Sequence, residues 1–251
     1  MNENGVLITT EGLVKTFPVG RGSFTALRDV DLTVRRGEFT GLVGPSGSGK
    51  TTLLNIIGAL DYPTGGKATV IGHDTRSLDH KGAARLRNYH IGFIFQTYNL
   101  LPVYTVYENV EFPLLLLGME ASERKKAVLE AIEWVGLTDK IDSRPTQLSG
   151  GESQRVAVAR AMVKKPELVL ADEPTANLDV ENSLNILDLM VDLNEQLGST
   201  FIFATHDEKV IRYLRRKITL IGGKIAEDIV TVPAARSSRA VAERSAGDGA
   251  S

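Results

Sequence analysis

Gly44-Pro45-Ser46-Gly47-Ser48-Gly49-Lys50-Thr51-Thr52 is the stretch on which the reading of this chain turns. Residues 44 to 51 match the pattern G-x-x-x-x-G-K-S/T, with the apolar run Phe39 to Val43 before them and Leu53, Leu54, Ile56, Ile57 and Leu60 after. That context reads as strand, glycine-rich loop, helix. Glycines let the backbone curl until successive N–H groups aim at phosphate oxygens, and the helix N-terminus adds its positive dipole end. Lys50 brings a mobile charge to the β- and γ-phosphates, and the Thr51 hydroxyl suits magnesium. The loop therefore predicts a bound nucleotide with Mg2+.

Downstream, Leu168-Val169-Leu170-Ala171 is a short, wholly apolar strand of the kind buried on both faces of a parallel sheet, and Thr200 to Thr205 is a second. Between them Leu184 to Leu197 reads as an amphipathic helix closed by Gly198. This alternation argues for a right-handed α/β core. The first forty residues instead read as antiparallel strands, Val6 to Thr9 and Ala26 to Val34. Ala68 to Ile71 and Ile91 to Phe95 are expected to continue the sheet, and Ile218 to Ile221 with Lys224 and Ile225 to form a terminal hairpin about Gly222-Gly223. Residues 97–165 have a helical pattern, with Ser122 as the expected N-cap of one helix and Gly136 as its stop. The predicted organisation is one domain over 1–232 with a helical subdomain at 97–165, then a disordered tail at 233–251.

Composition removes several classes of function. With 42% hydrophobic and 24% charged residues in 251, the chain is neither disordered nor membrane-embedded. A net charge of -2 provides no global field for nucleic acid, and zero cysteines exclude disulfides, thiolate metal sites and cysteine nucleophiles. The first residues show no signal peptide, and the most apolar run, Pro113 to Met119, is far short of the roughly 20 residues of a membrane span. A cytoplasmic chain is expected.

Two acids, Asp172 and Glu173, follow the strand Leu168 to Ala171, where ligands of open α/β sheets gather. Asp172 would hold magnesium, and Glu173 would polarise or deprotonate the attacking water. A strand-end acid pair capping a turn is the plainer explanation, and the phosphate loop outweighs it. Leu148-Ser149-Gly150-Gly151-Glu152-Ser153-Gln154-Arg155 ends seventeen residues before Asp172 and opens an apolar helical run. Ser149 and Glu152 form an S-x-x-E capping box, yet paired glycines at a helix start expose N–H groups to an approaching phosphate.

This octet, with the phosphate loop, Gln96 and His206 in the same order, resembles the ATP-binding-cassette ATPases from residue 5 to 230. The resemblance implies a P-loop NTPase fold: a RecA-like, mostly parallel core sheet, an N-terminal antiparallel β subdomain and an inserted α-helical subdomain. It implies ATP as the nucleotide, bound by Gly44 to Thr52 with Phe17 stacked on adenine, and Mg2+ held by Thr51, Gln96 and Asp172. It assigns catalysis to Glu173, His206, Gln96 and Lys50. In the family the signature residues Ser149, Gly150, Gly151 and Glu152 complete the site of a second, head-to-tail copy, with Asp179 on the loop crossing between copies.

Three longer stretches resemble the branch of lipoprotein-releasing and macrolide-exporting ATPases: GPSGSGKTTLLNIIGALDYPTGG from Gly44, IGFIFQTYNLLPVYTVYENVEFPL from Ile91, and RPTQLSGGESQR with ADEPTANLD between Arg144 and Asp179. That branch implies export or extraction of a hydrophobic or lipid-linked substrate by transmembrane permease subunits. They would dock through the helical subdomain and the Gln96 region, where Tyr98, Leu100, Leu101, Val103 and Tyr104 serve either docking or the lobe's own core. The chain would then sit peripherally on the cytoplasmic side of the inner membrane. A regulatory ATPase of a non-transporting complex, as in cell-division relatives, is the alternative. Soluble cassette ATPases acting on ribosomes or DNA typically carry two cassettes or a coiled-coil insertion, and neither is here.

Overall fold

The structure, a computed structural model, describes residues 5–231; the segment 233–251 read as a tail lies outside them. Strands β1 (Val6–Val19) and β2 (Gly22–Arg35) form a long antiparallel hairpin. Strand β3 (Phe39–Val43) leads through the phosphate loop into α1 (Lys50–Ile57). Then come β4 (Gly65–Val70), β5 (His73–Asp74), α2 (His80–His90), β6 (Ile91–Phe95), α3 (Val106–Leu116), α4 (Ala121–Trp134) and α5 (Gly150–Met162). The chain closes with β7 (Leu168–Asp172), α6 (Val180–Leu197), β8 (Thr200–Thr205), α7 (Glu208–Ile211), β9 (Arg216–Ile221) and β10 (Lys224–Val230).

Two sheets result. The antiparallel one has the order β2-β1-β4-β5; the other runs β10-β9-β3-β8-β7-β6, parallel throughout except for β10. Its central strands are apolar because both faces are covered. Leu168, Leu170, Ile202 and Ala204 point into one core with α1 and the antiparallel sheet, while Val169, Ala171, Phe201 and Phe203 point into the other beneath α3, α5 and α6. Phe39 joins that second core, its ring 4.7 Å from Phe203 and 5.5 Å from Phe201. Deleting such a ring costs about 3–5 kcal/mol, so this core fixes the strand edges that carry the site.

Two expectations are corrected. The segments 68–71 and 91–95 do not continue one sheet: β4 pairs with β1 through Ile8↔Val70, whereas β6 lies at the edge of the parallel sheet beside β7. Both runs are short and apolar, and only long-range pairing separates them. Nor does Ser122 cap α4. The helix starts at Ala121 with Glu120 as N-cap, whose carbonyl accepts from Arg124 N at 2.9 Å, so Ser122 lies inside the first turn. Gly136 does end it, with φ +64°.

Candidate active site

β3 lies between β8 and β9, so its carboxyl end delivers residues 44–49 to the centre of the sheet edge, where open α/β sheets place their ligands. Gly44 has φ +150°, and a Cβ there would stand 2.2 Å from Leu220 O; Gly49 has φ +104°, and a Cβ there would stand 2.7 Å from Ala26 O. No other residue fits either place. Gly49 is also the N-cap of α1, with no side-chain hydrogen bond and no acid in the first turn. The N–H groups of that turn are left for a ligand. Lys50 is buried, and its Nζ donates to Gly44 O at 2.8 Å and Pro45 O at 3.0 Å. Ser48 Oγ is buried in the same loop without a hydrogen-bond partner among the described residues.

Thr51 Oγ1 donates to Asp172 Oδ1 at 3.2 Å, joining the loop to the end of β7. Burial pushes the Asp172 carboxyl above its ordinary range; the Thr51 hydrogen bond opposes the rise, the Glu173 charge adds to it, and Lys50 opposes it. Glu173 has φ +46°, a left-handed conformation that is strained for a residue with a Cβ. Three contacts hold it there. Its N–H donates to Ala204 O at 2.9 Å, Thr205 Oγ1 donates to Oε2 at 3.0 Å, and His206 Nδ1 lies 2.6 Å from Oε1. With an ionised carboxylate as acceptor, the ring N–H donates.

Lys50, Thr51, Glu173 and His206 line one cleft of about 400 Å3, together with Ser46, Gly47, Gly49, Thr52, Gln96, Ala26 and Phe24, and Asp172 is tied to it by its hydrogen bond from Thr51. Residues far apart in sequence and read separately as phosphate loop, catalytic acid, Gln96 and His206 thus share one cavity. Phe17 is not among its lining residues. It is half-buried on β1, opposite Phe24 in the hairpin register, with Lys15 Nζ 4.9 Å from its ring centroid. Phe24, 52% exposed at the cleft, was not legible in the sequence, although its position across the hairpin from Phe17 is the signal that could have found it. A hydroxyl, a carboxylate and an amide oxygen, from Thr51, Asp172 and Gln96, form a hard oxygen donor set at the phosphate end. A carboxylate buried as Asp172 is gains from a cation, so these residues fit Mg2+.

The signature loop is built differently. Ser149 caps α5 reciprocally: Glu152 N donates to Ser149 Oγ at 3.2 Å, and Ser149 N donates to Glu152 Oε2 at 2.7 Å. The Ser149 backbone N–H, more than any other contact, holds the Glu152 carboxyl below the usual range. Gly151 is buried, and a Cβ there would meet Asn182 Oδ1 at 2.5 Å; Ser149 and Gly150 face solvent. Asp179 caps α6, its Oδ1 accepting from Asn182 N at 2.8 Å, and Asn177 Nδ2 donates to Gln96 O at 2.9 Å. None of residues 149–152 lines the cleft that holds Lys50.

A family profile described as ABC transporter matches residues 27–176. This chain belongs to the ABC transporter family. It is an ATP-binding cassette with ATPase activity, and its relatives agree over nearly the full described length. It is 41% identical over 222 residues to the lipoprotein-releasing system ATP-binding protein LolD of Bacteroides thetaiotaomicron, covering 88% of this chain and 100% of that one. It is 43% identical over 224 residues to the macrolide export ATP-binding/permease protein MacB of Burkholderia pseudomallei, covering 89% of this chain but 34% of that longer protein. Among solved structures, a dimeric ATP-binding cassette in a post-hydrolysis state bound to ADP and Pi superposes with a TM-score of 0.82 at 40% identity, covering 89% of this chain and 98% of that one. The fold class read from the sequence, with its antiparallel β subdomain, parallel core and helical insertion, is that of these cassettes.

Proposed function

We propose that two copies of this chain close head to tail on two ATP molecules. Closure drives membrane permease subunits through a conformational change that exports or extracts a hydrophobic or lipid-linked substrate. One observation carries the reading: the cleft gathers Lys50, Thr51, Gln96, Glu173 and His206 but none of residues 149–151, of which Ser149 and Gly150 face outward on the helical lobe. A second copy supplies what one copy leaves out.

In this reading Lys50 exchanges the carbonyls of Gly44 and Pro45 for phosphate oxygens, and the N–H groups of α1 take the charge that no side chain caps. The adenine base rests against Phe24 at the hairpin end of the cleft, with Phe17 beside it. Thr51, Asp172 and Gln96 would hold Mg2+, which would supply charge neutralisation to the β- and γ-phosphates. Glu173 takes a proton from the water that attacks in line, and His206 and Thr205 fix its carboxylate while Gln96 orients that water. Ser149 and Gly150 of the twin close over the γ-phosphate. Work then comes from ATP binding the closed dimer more tightly than the open one.

Among the described residues no helix is long and apolar enough to cross a membrane; in this reading the cassette sits peripherally at the cytoplasmic face of the inner membrane, anchored through its partner. The test is the order of the reaction. Specific ATPase activity should rise with chain concentration and then saturate, and a Ser149→Arg chain mixed with a Lys50→Ala chain should restore at most one of the two sites per dimer. Full turnover at concentrations where light scattering shows only single copies would overturn the paired-site mechanism.

A further inference from the structure

The octet from Leu148 to Arg155 holds one side chain that neither the cap nor the phosphate chemistry uses. Gln154 lies on α5, entirely buried, and its Nε2 donates to Pro174 O at 2.7 Å. Its Oε1 is buried as well and has no hydrogen-bond partner among the described residues. A methionine would fill the same space without leaving an acceptor dry, so packing alone gives no reason for an amide here. The donor end supplies one, because Pro174 is buried and its carbonyl takes this bond.

Pro174 directly follows Glu173, the proposed base. Ala176 N donates to Glu173 O at 3.2 Å, so residues 173–176 make a reverse turn with Pro174 in its second position, where a fixed φ suits. In such a turn the carbonyl of the second residue is the one that swings round between the common forms, and Gln154 pins that carbonyl. Beyond the same peptide, Thr175 Oγ1 donates to Asp207 Oδ2 at 3.0 Å, next to His206, whose ring lies 2.6 Å from Glu173 Oε1. Glu173 is in a strained left-handed conformation, which a turn free to swing would let relax. We infer that Gln154 is a positioning residue for hydrolysis: its amide fixes the Pro174 carbonyl, and through that turn it keeps Glu173 aligned with His206. Because Gln154 rides on the helix that starts at the signature loop, the posture of Glu173 is tied to α5. The inference rests on the reading of Glu173 as the base, and it names what holds that base from behind.

The test compares two substitutions in the full chain: Gln154→Met, which keeps the volume and removes the donor, and Gln154→Glu, which keeps the shape and makes the donor depend on pH. Single-turnover hydrolysis and the Kd of a fluorescent ATP analogue are measured for each. Gln154→Met should slow hydrolysis about 10- to 100-fold with the Kd within about twofold of the unsubstituted chain, as expected when a reacting group is misplaced rather than removed. A buried carboxyl keeps its proton to higher pH than an exposed one; while protonated it donates to Pro174 O, and once ionised it faces that oxygen with like charge. Relative to the unsubstituted chain at each pH, Gln154→Glu should therefore approach full rate at about pH 6 and fall toward the Met variant at about pH 9. That ratio cancels the titrations both proteins share, those of Glu152 on α5 beside the fixed charge of Arg155, of Asp172 and Glu173 at the end of β7, and of His206 and Asp207 before α7. Equal losses in rate and Kd, a Met variant at the unsubstituted rate, or a Glu variant whose relative rate does not change with pH would each overturn the proposal; should the Met variant fail to fold, the pH profile of the Glu variant decides alone. Glu173→Gln, run alongside, keeps the two readings apart: full turnover there rejects the base itself, whereas a dead Glu173→Gln beside unaffected Gln154 variants rejects only the role of Gln154.

Discussion

The phosphate loop and the signature loop both place glycines at the start of a helix, yet they leave those helices in different electrical states. At α1 the N-cap is Gly49, without a side-chain hydrogen bond or an acid in the first turn. At α5 the N-cap is Ser149, and Glu152 lies in the first turn and bonds back to it. One helix end therefore carries no side-chain cap, while at the other Ser149 and Glu152 cap each other. In the proposed mechanism the first loop binds ATP in a single copy, and the second adds its share only when another copy brings phosphate to it.

The sharpest test concerns the chemistry that both loops serve. Glu173→Gln should lower kcat by about 10^2–10^4-fold while ATP is still bound, and an ATP-dependent dimer should accumulate on gel filtration. Next in size, Lys50→Ala should weaken binding of a fluorescent ATP analogue about a hundredfold, because a buried cation matched to phosphate is lost. If a signature substitution weakened that binding equally in dilute, single-copy samples, the contrast between the loops would fail. Gly151→Ala should leave single-copy binding unchanged and cut turnover about tenfold, since its Cβ strikes Asn182; pairing it with Asn182→Ala should recover much of the loss. Phe24→Ala should raise the ATP Kd by several fold without altering the affinity for inorganic tripolyphosphate, which has no base to stack. Ser149→Ala should lower stability by about 1 kcal/mol, seen as a fall of a few degrees in Tm, through loss of the cap.

Much of the site was legible because its residues are constrained by their own backbone. Gly44 and Gly49 announce conformations that nothing else adopts, the run Leu168 to Ala171 announces a strand covered on both faces, and Asp179 sits where a helix cap belongs. What escaped depends on partners far away in sequence. Nothing local assigns Ala68 to one sheet and Ile91 to the other, since each assignment rests on pairing with β1 or β7. The cluster after Gln96 divides in the same way: Leu100 packs against the helical core, while Val103 is 72% exposed. Phe24 is an ordinary hairpin aromatic until the hairpin folds over the phosphate loop.

The single bond from Asn177 Nδ2 to Gln96 O hangs two loops on one peg: the one that ends at Asp179 and the one that carries Gln96. When either loop shifts by an ångström, it must drag its neighbour or snap that tether. If the copies close as proposed, their parting would be felt at Gln96 through this one hydrogen bond.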